Sequence, residues 1–493
     1  MVKVTSVKKL MIILVALLIC ATVVFAACTN GDFKPVSMPK AATPDSNGGS
    51  VVQYGEWLYY VNGYASDVSA DNTYSDDVKD TPRIGSVVRI KLAELEKLFE
   101  ISEDETITSS SARTEKIADY VRKHAETVVP KIYISNNSTS TYLTGIYIFG
   151  DRIYITTPND QLTPGGNPRT SELNLMSFKL DGSDPKVHYT FTSNSAEIWL
   201  MEKSGKVVAT YYMDSQLHTL DVSSGKDTLI KYKNADKYPK IETINNMSSI
   251  KWDVAGESVF FINSIGQICK LAIGATEYTV VVDNDTYEID SDHIHSDNAT
   301  TYAIQSVNNG EVYYTKNSKV ESAIRLYWTD GSNGENIALN SNNTRAIGWK
   351  DGKVIVSYTE DSGYYGIALT TSADNLEKVT ILEPEYNEES ISIVKVEGDK
   401  LYYSADNVYY EINIQEMVDG EHAEDDYLGV PYAYSISSTG WAAADFVTDG
   451  DVHYVFSVSN GNISVVKFDV ETKKNSEKSV TLTLLPVVEE EDE

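Results

Sequence analysis

Short apolar runs of alternating period, each opened by a glycine-bearing turn, recur along the whole chain. They read Gly55-Glu56-Trp57-Leu58-Tyr59-Tyr60, Gly150-Asp151-Arg152-Ile153-Tyr154, Gly205-Lys206-Val207-Val208 and Gly256-Glu257-Ser258-Val259-Phe260-Phe261. The series continues through Gly310-Glu311-Val312-Tyr313-Tyr314, Gly352-Lys353-Val354-Ile355, Gly398-Asp399-Lys400-Leu401-Tyr402-Tyr403 and Gly450-Asp451-Val452-His453-Tyr454. Alternation with period two predicts strands, and Asn309-Gly310, Asp351-Gly352 and Asp449-Gly450 supply the positive φ of a tight hairpin. Seven of these glycines, Gly150 to Gly450, span six intervals and 300 residues, a mean period of 50. A third strand follows each hairpin, as in Val87 to Ile90, Leu175 to Leu180, Ile268 to Leu271 and Val465 to Asp469. A fourth, more variable strand completes the unit. Units of four antiparallel strands repeated at this period predict an all-β fold, a β-propeller. Eight blades are expected, or seven if one hairpin completes another blade.

The interval from Gly55 to Gly150 is 95 residues, about 45 longer than the mean period. Its excess changes period: Leu92, Leu95, Leu98 and Phe99, then Ile117, Tyr120 and Val121, recur at helical spacing. A helical insertion at about 92–130 is therefore expected at one rim, packed on its blade as a decoration, since such stripes bury against their own domain, or else offered to a partner. Since it interrupts a loop, its removal is expected to leave the sheets folded.

The N-terminus has a different pattern. Lys3, Lys8 and Lys9 precede the apolar run Leu10 to Val24, and Phe25-Ala26-Ala27 leads into Cys28. That is the layout of a secretory signal. Residues 28–50, rich in Pro, Gly, Ser, Asn and Lys, read as a flexible tether. The expected organisation is a signal at 1–27, the tether at 28–50, the propeller at 51–485 and an acidic tail at 486–493. Cys20 leaves with the signal, so Cys269 remains as the thiol of the folded body, a small buried hydrophobe in an alternating strand.

Charge narrows the partners. The chain carries −31 and loses three lysines with the signal. A body this anionic is repelled by nucleic acid. Gly-x-Ser-x-Gly, Walker, His-Glu-x-x-His and Cys-x-x-Cys motifs are all missing from the sequence. His293 and His295, with Asp290 and Asp292, form the densest group of metal-ligand types. Imidazole with carboxylate suits zinc, and a carboxylate subset suits calcium. The same residues also read as a polar hairpin between the fourth and fifth units, and no cofactor is expected. Binding is expected at two loops, Tyr64 to Asp80 and Thr156 to Ser171. Their candidate residues are Tyr64, Asp67, Asp71, Tyr74, Asp76 and Asp77 in the first, and Asn159, Asp160 and Arg169 in the second.

Two resemblances extend this reading. The N-terminus resembles a bacterial lipoprotein signal, in which the cysteine receives diacylglycerol and the chain is cut before it. Phe25 departs from the leucine usual at its position. The repeat, best seen in Gly310 to Gly331 and Gly150 to Gly182, resembles bacterial propellers of unassigned function related to the lipoprotein-receptor type. What this implies is acylation at Cys28 and a propeller anchored on the outer leaflet of the bacterial cell membrane; it implies no activity. With no catalytic motif in the sequence, a monomer that binds an envelope protein, a peptide or a glycan without catalysis is expected. A propeller-type glycan hydrolase or lyase, and an envelope protein assembly factor, stand as alternatives.

Overall fold

The computed structural model describes residues 34–62 (without 46 and 50), 86–129, 145–162, 168–193, 196–232, 248–253, 256–284, 288–289, 294–295, 300–317, 325–337, 344–350, 353–359, 365–370, 379–382, 392–397, 400–405, 408–413, 430–432, 446–449, 452–459, 462–469, 474–476 and 478–484. Among them, strands gather into eight sheets of four or five strands and one two-stranded ribbon. Each sheet is a meander in which successive strands pair antiparallel. The first uses Val51–Tyr54, Trp57–Val61, Val87–Lys91 and Glu126–Val129, and the second Tyr147–Phe149, Arg152–Leu162, Pro168–Lys179 and Lys186–Phe191. The third runs from Glu197–Lys203 to Lys226–Leu229 and the eighth from Phe446–Asp449 to Val480–Thr481. A short strand, Lys231–Tyr232, joins the fourth sheet parallel to Glu277–Val282.

Every recurring glycine turn lies between the first and second strand of one sheet. Asn309 and Gly310 have φ of 47° and 87°, the two positive values that a tight hairpin of this twist requires. The turns of consecutive sheets meet: the hydroxyl of Tyr54, beside the first turn, donates to Gly150 O, and the carboxylate of Asp253 accepts from both Gly256 N and Gly310 N. They therefore share one face of the molecule, the turn face. Connections from third to fourth strands return to that face, whereas those from second to third strands lie on the opposite, loop face. Ser248–Asp253 approaches Thr301–Asn308, which approaches Thr344–Lys350, which approaches Ser392–Glu397. First strands thus converge toward the axis.

Apolar faces of neighbouring sheets bury one another. Val52 and Tyr59 pack with Ile148 and Ile153, Leu175 with Ile198 and Leu220, Leu217 with Val259 and Phe261, and Phe260 with Ile304 and Val312. The eighth sheet packs on the first, with Phe456, Val465 and Leu482 in one cluster with Leu58 and Val88. At that junction the Asn62 side chain donates to Leu484 O and accepts from Leu484 N. Meanders packed face to face and closed on the first sheet make a β-propeller.

Two expectations change. The insertion forms helices α1 (Ala93–Glu103) and α2 (Ser110–His124), the latter capped by Ser109. They pack on the fold as a decoration would, but against the eighth sheet as well as the first blade. Leu95, Leu98, Phe99, Ile117 and Val121 are buried in the cluster that joins the first and eighth sheets. Glu96 also pairs with Lys467 of the eighth sheet at 2.9 Å. An amphipathic stripe shows that a helix buries one face, but not against which sheet. The segment after Cys28 changes too: from residue 34 it is docked on the fold, and Pro44–Asp45 pairs with Gln53 and Tyr54.

Candidate functional site

The docked segment forms a strap along the seam between the first and second sheets. Val36 N donates to Asp181 O on the turn face, and Ala42 lies against Gly55. Pro44 and Asp45 then add to the axial edge of the first sheet, antiparallel to it. Asn47 reaches the second sheet, donating to Ile148 O at 3.1 Å and accepting from Ile148 N at 2.6 Å. Gly48 N donates to Ile146 O and Ile146 N to Gly49 O. A side chain at Gly48 would meet the Tyr147 ring at 2.8 Å, so the ring and the strap require glycine there. Before the chain enters its first blade strand, it has already stitched two sheets together.

Arg89 holds the outer end of the strap. Its side chain is fully buried, 4.0 Å over the Trp57 ring, and paired with Glu126 at 2.6 Å. Nη2 donates to Ser37 O at 2.7 Å, and Nη1 donates to the Tyr59 hydroxyl. A buried guanidinium is tolerated only with its donors satisfied, and the strap carbonyl is one of its acceptors. Burial pushes the Tyr59 phenol up, with the Arg89 hydrogen bond pulling it back.

Of the residues singled out in the sequence, Cys28, Tyr64, Asp67, Asp71, Tyr74, Asp76, Asp77, Asp290, Asp292 and His293 lie outside the described residues. His295 sits in the two-stranded ribbon, opposite Glu288, between the fourth and fifth sheets. That is the polar hairpin reading of this stretch. Among the described residues no cluster of metal-ligand side chains is found. Asn159, Asp160 and Arg169 are on strands, not in an open loop: Arg152–Leu162 and Pro168–Lys179 form a hairpin of 11 and 12 residues, with Asn159 opposite Arg169. Other second strands have 5 to 8 residues. Tyr147–Phe149 covers the hairpin only at Arg152 to Tyr154, and Lys186–Phe191 covers it only from Leu173. The rest stands out as an arm on the loop face, with irregular register at Pro158 and Asn159. Both candidate segments leave from the loop face, opposite the helices.

Several buried polar arrays were not visible as motifs. Ser177 Oγ lies 2.6 Å from His188 Nε2, while His188 Nδ1 donates to Val222 O of the third sheet at 3.1 Å. With its proton on Nδ1, the ring accepts from the serine at Nε2. Arg152 Nε donates to the same Ser177 oxygen at 2.9 Å and is paired with Asp184 at 2.8 Å. Burial lowers the His188 pKa, which favours this neutral form. The pair has the hydrogen bonding of a nucleophile and its base, but Ser177 is fully buried, so it serves as a lock between sheets. Asp253 is a second lock. Its carboxylate accepts from Gly256 N, Asn309 N and Gly310 N at 2.9, 3.0 and 2.6 Å, tying the turns of the fourth and fifth sheets. On the first strands of the third and fourth sheets Trp199 and Trp252 stack with centroids 5.7 Å apart, and Tyr147 of the second sheet meets Trp199 edge-on. Cys269 is buried and its thiol is held well above the usual range by burial.

No family model matches the chain, and no curated protein matches it. Solved structures do. It is similar to a prolyl endopeptidase, with 13% identity and a TM-score of 0.36 over 78% of this chain and 56% of that one. It is also similar to dipeptidyl peptidase 4 of Porphyromonas gingivalis (10%, 0.40, 91% and 60%) and to BamB of Moraxella catarrhalis (14%, 0.28, 69% and 82%). The chain spans little more than half the length of the endopeptidase. At such identities the likeness concerns the fold, and activity has to be argued from the chain itself.

Proposed function

We propose that this chain is a lipid-anchored extracytoplasmic propeller that displays a binding surface at the cell envelope and works without catalysis. The strap carries the reading. Eight positions beyond Cys28 the chain is already bound to the fold, and by Asn47 it has backbone and side-chain contacts to two sheets. A signal layout ending in cysteine, joined directly to a structural strap, makes the N-terminus a mount for a rigid body. The recognition surface belongs to the loop face, where the 11- and 12-residue hairpin arm and residues 63–85 leave the sheets. An envelope protein, a peptide or a glycan fits that description, with the propeller acting as a monomer. Eight blades, one per glycine turn, go with the reading.

The test has two arms. Cells fed a fatty-acid analogue should label the wild type and not Cys28→Ser; equal labelling of both would remove the anchor from the proposal. Capture from the native envelope should then lose its partner when residues 158–171 are replaced by a short turn. Turnover of a peptide or polysaccharide library by the purified body, abolished by a single Asp→Asn change in the loop-face segments, would favour the enzyme alternative.

A further inference from the structure

Resting on the lipid anchor proposed above, we infer that the turn face at the seam of the first and second sheets lies against the bilayer, with Met38, Val187 and the lysines around them as its contact surface. The first ground is reach. Val36, the first strap residue bound to the fold, is eight positions beyond Cys28, and an extended chain spans at most about 3.3–3.6 Å per residue, so the acyl-bearing cysteine lies within roughly 30 Å of that point. Val36 and Ser37 are bound on the turn-face side of the seam, through Asp181 O and Arg89, before the strap descends toward the axis. A leash this short holds that corner to the membrane and keeps the hairpin arm on the far side.

A second, independent ground is the surface itself. The exposed large hydrophobics among the described residues are Met38 and Val187, 45% and 40% accessible. Met38 lies on the strap beside Ser37, and Val187 lies near the turn-face end of Lys186–Phe191, opposite Met176 of the cluster between the first and second sheets. Lys34 and Lys40 are exposed on the same strap as Met38, and Lys186 is exposed beside Val187. Asp184 in the same corner is engaged by Arg152 and Lys186 at 2.8 and 3.1 Å. The two turns add exposed Glu56, paired with Lys91, and exposed Asp151. In a chain of net charge −31 the strap and the start of Lys186–Phe191 still offer apolar tips and ammonium groups together, the chemistry of a phospholipid interface. A few lysines near an anionic leaflet attract it too weakly to bind alone but enough to orient an acylated body.

Site-specific fluorescence quenching tests this. Full-length acylated protein, extracted from membranes, is reconstituted in vesicles of phosphatidylcholine and phosphatidylglycerol that carry a headgroup spin label. A fluorophore is placed by thiol chemistry at Lys40→Cys or Val187→Cys on the turn face, or at Thr192→Cys or Asn317→Cys on the loop face. Buried Cys269 stays unlabelled, and the thiol of an acylated Cys28 is consumed as a thioether. Quenching at 40 and 187 several-fold above that at 192 and 317 is expected. Equal quenching at all four sites, stronger quenching at 192 and 317, or none at any site with the acyl group shown by mass, overturns the orientation and leaves the anchor standing. A wild-type chain without acyl mass overturns the anchor, and the orientation with it. Substituting Lys40 and Lys186 by Glu should lower the quenching at Val187→Cys while the acyl mass is unchanged.

Discussion

Phe99→Ala asks whether the inserted helices belong to the core. The side chain is 1% accessible and sits among Leu95, Leu98, Tyr454 and Phe456, its ring stacked on Tyr454 at 6.1 Å. Truncating a buried Phe costs about 3–5 kcal/mol, of which an aromatic pair accounts for roughly 0.5–1.5. Lys97→Ala, exposed on the same helix and paired only with Glu100, should stay within about 0.5 kcal/mol. Urea unfolding of residues 34–493, followed by tryptophan fluorescence, reads the difference as a shift in midpoint at unchanged slope. A double cycle with Tyr454→Ala should show a coupling of about 0.5–1.5 kcal/mol. A Phe99→Ala loss under about 1 kcal/mol, with additive effects of the two substitutions, would mean that the helices are a peripheral decoration and that the first and eighth sheets meet without them. By the same reasoning, deletion of residues 94–128 should aggregate the protein, because it removes a wall of the junction and the fourth strand of the first sheet.

Other outcomes follow from the locks and the strap. Gly256→Ala should destabilise strongly, since a Cβ there would clash with Asp253 Oδ2 and Gly310 N; thermal melting checks it, and an unchanged midpoint would contradict the Asp253 lock. His188 has its folded pKa held below 6.5, so the unfolded chain takes the proton first as pH falls. Its contribution is fully present above about 6.5 and is lost as pH drops from there toward the folded value, by up to 1.36 kcal/mol per pH unit. His188→Gln should flatten that part of the urea midpoint against pH, and an unaltered profile would exclude the lock. Removing residues 28–43 deprives buried Arg89 of its Ser37 acceptors, and a hydrogen bond to a charged group contributes about 1.5–3 kcal/mol. Calorimetry should show a lower melting temperature for that truncation, and no change would mean that the strap is not held.

How much of this was legible depended on whether the signal was local. Gly55, Gly150, Gly205 and Gly310 adopt φ of 61°, 60°, 72° and 87°, and such turns are chosen by residues adjacent in sequence, so the eight hairpins could be read directly. The strap was not, because its partners are distant: Asn47 and Ile148 are 101 positions apart, and nothing in residues 34–49 alone distinguishes a docked segment from a free one. Polar composition pointed the same wrong way in Thr156 to Ser171, where Pro158, Asn159 and Asp160 suggested a loop. A hairpin arm that its sheet neighbours do not cover has no second strand pairing to impose strict alternation on its sequence. The helical stripe of α1 and α2 was plain, yet its partners, Tyr454 and Phe456, lie far along the chain. Ser177 and His188 come together only across a strand pair, so no motif scan could have joined them.

Closure of the ring by Asn62 and Leu484, 422 positions apart, has a consequence for biogenesis. The flank of the first sheet that meets the eighth must wait for nearly the whole chain. At about 5–20 residues per second that delay is roughly 20–80 s, during which Val88 and Ile90 would otherwise face solvent or a neighbouring nascent chain. Helices α1 and α2 follow Val87–Lys91 immediately and pack on the same apolar surface. They occupy part of that flank from the start, as a chaperone built into the chain would, and remain in place when Phe456 and Leu482 arrive to complete the cluster.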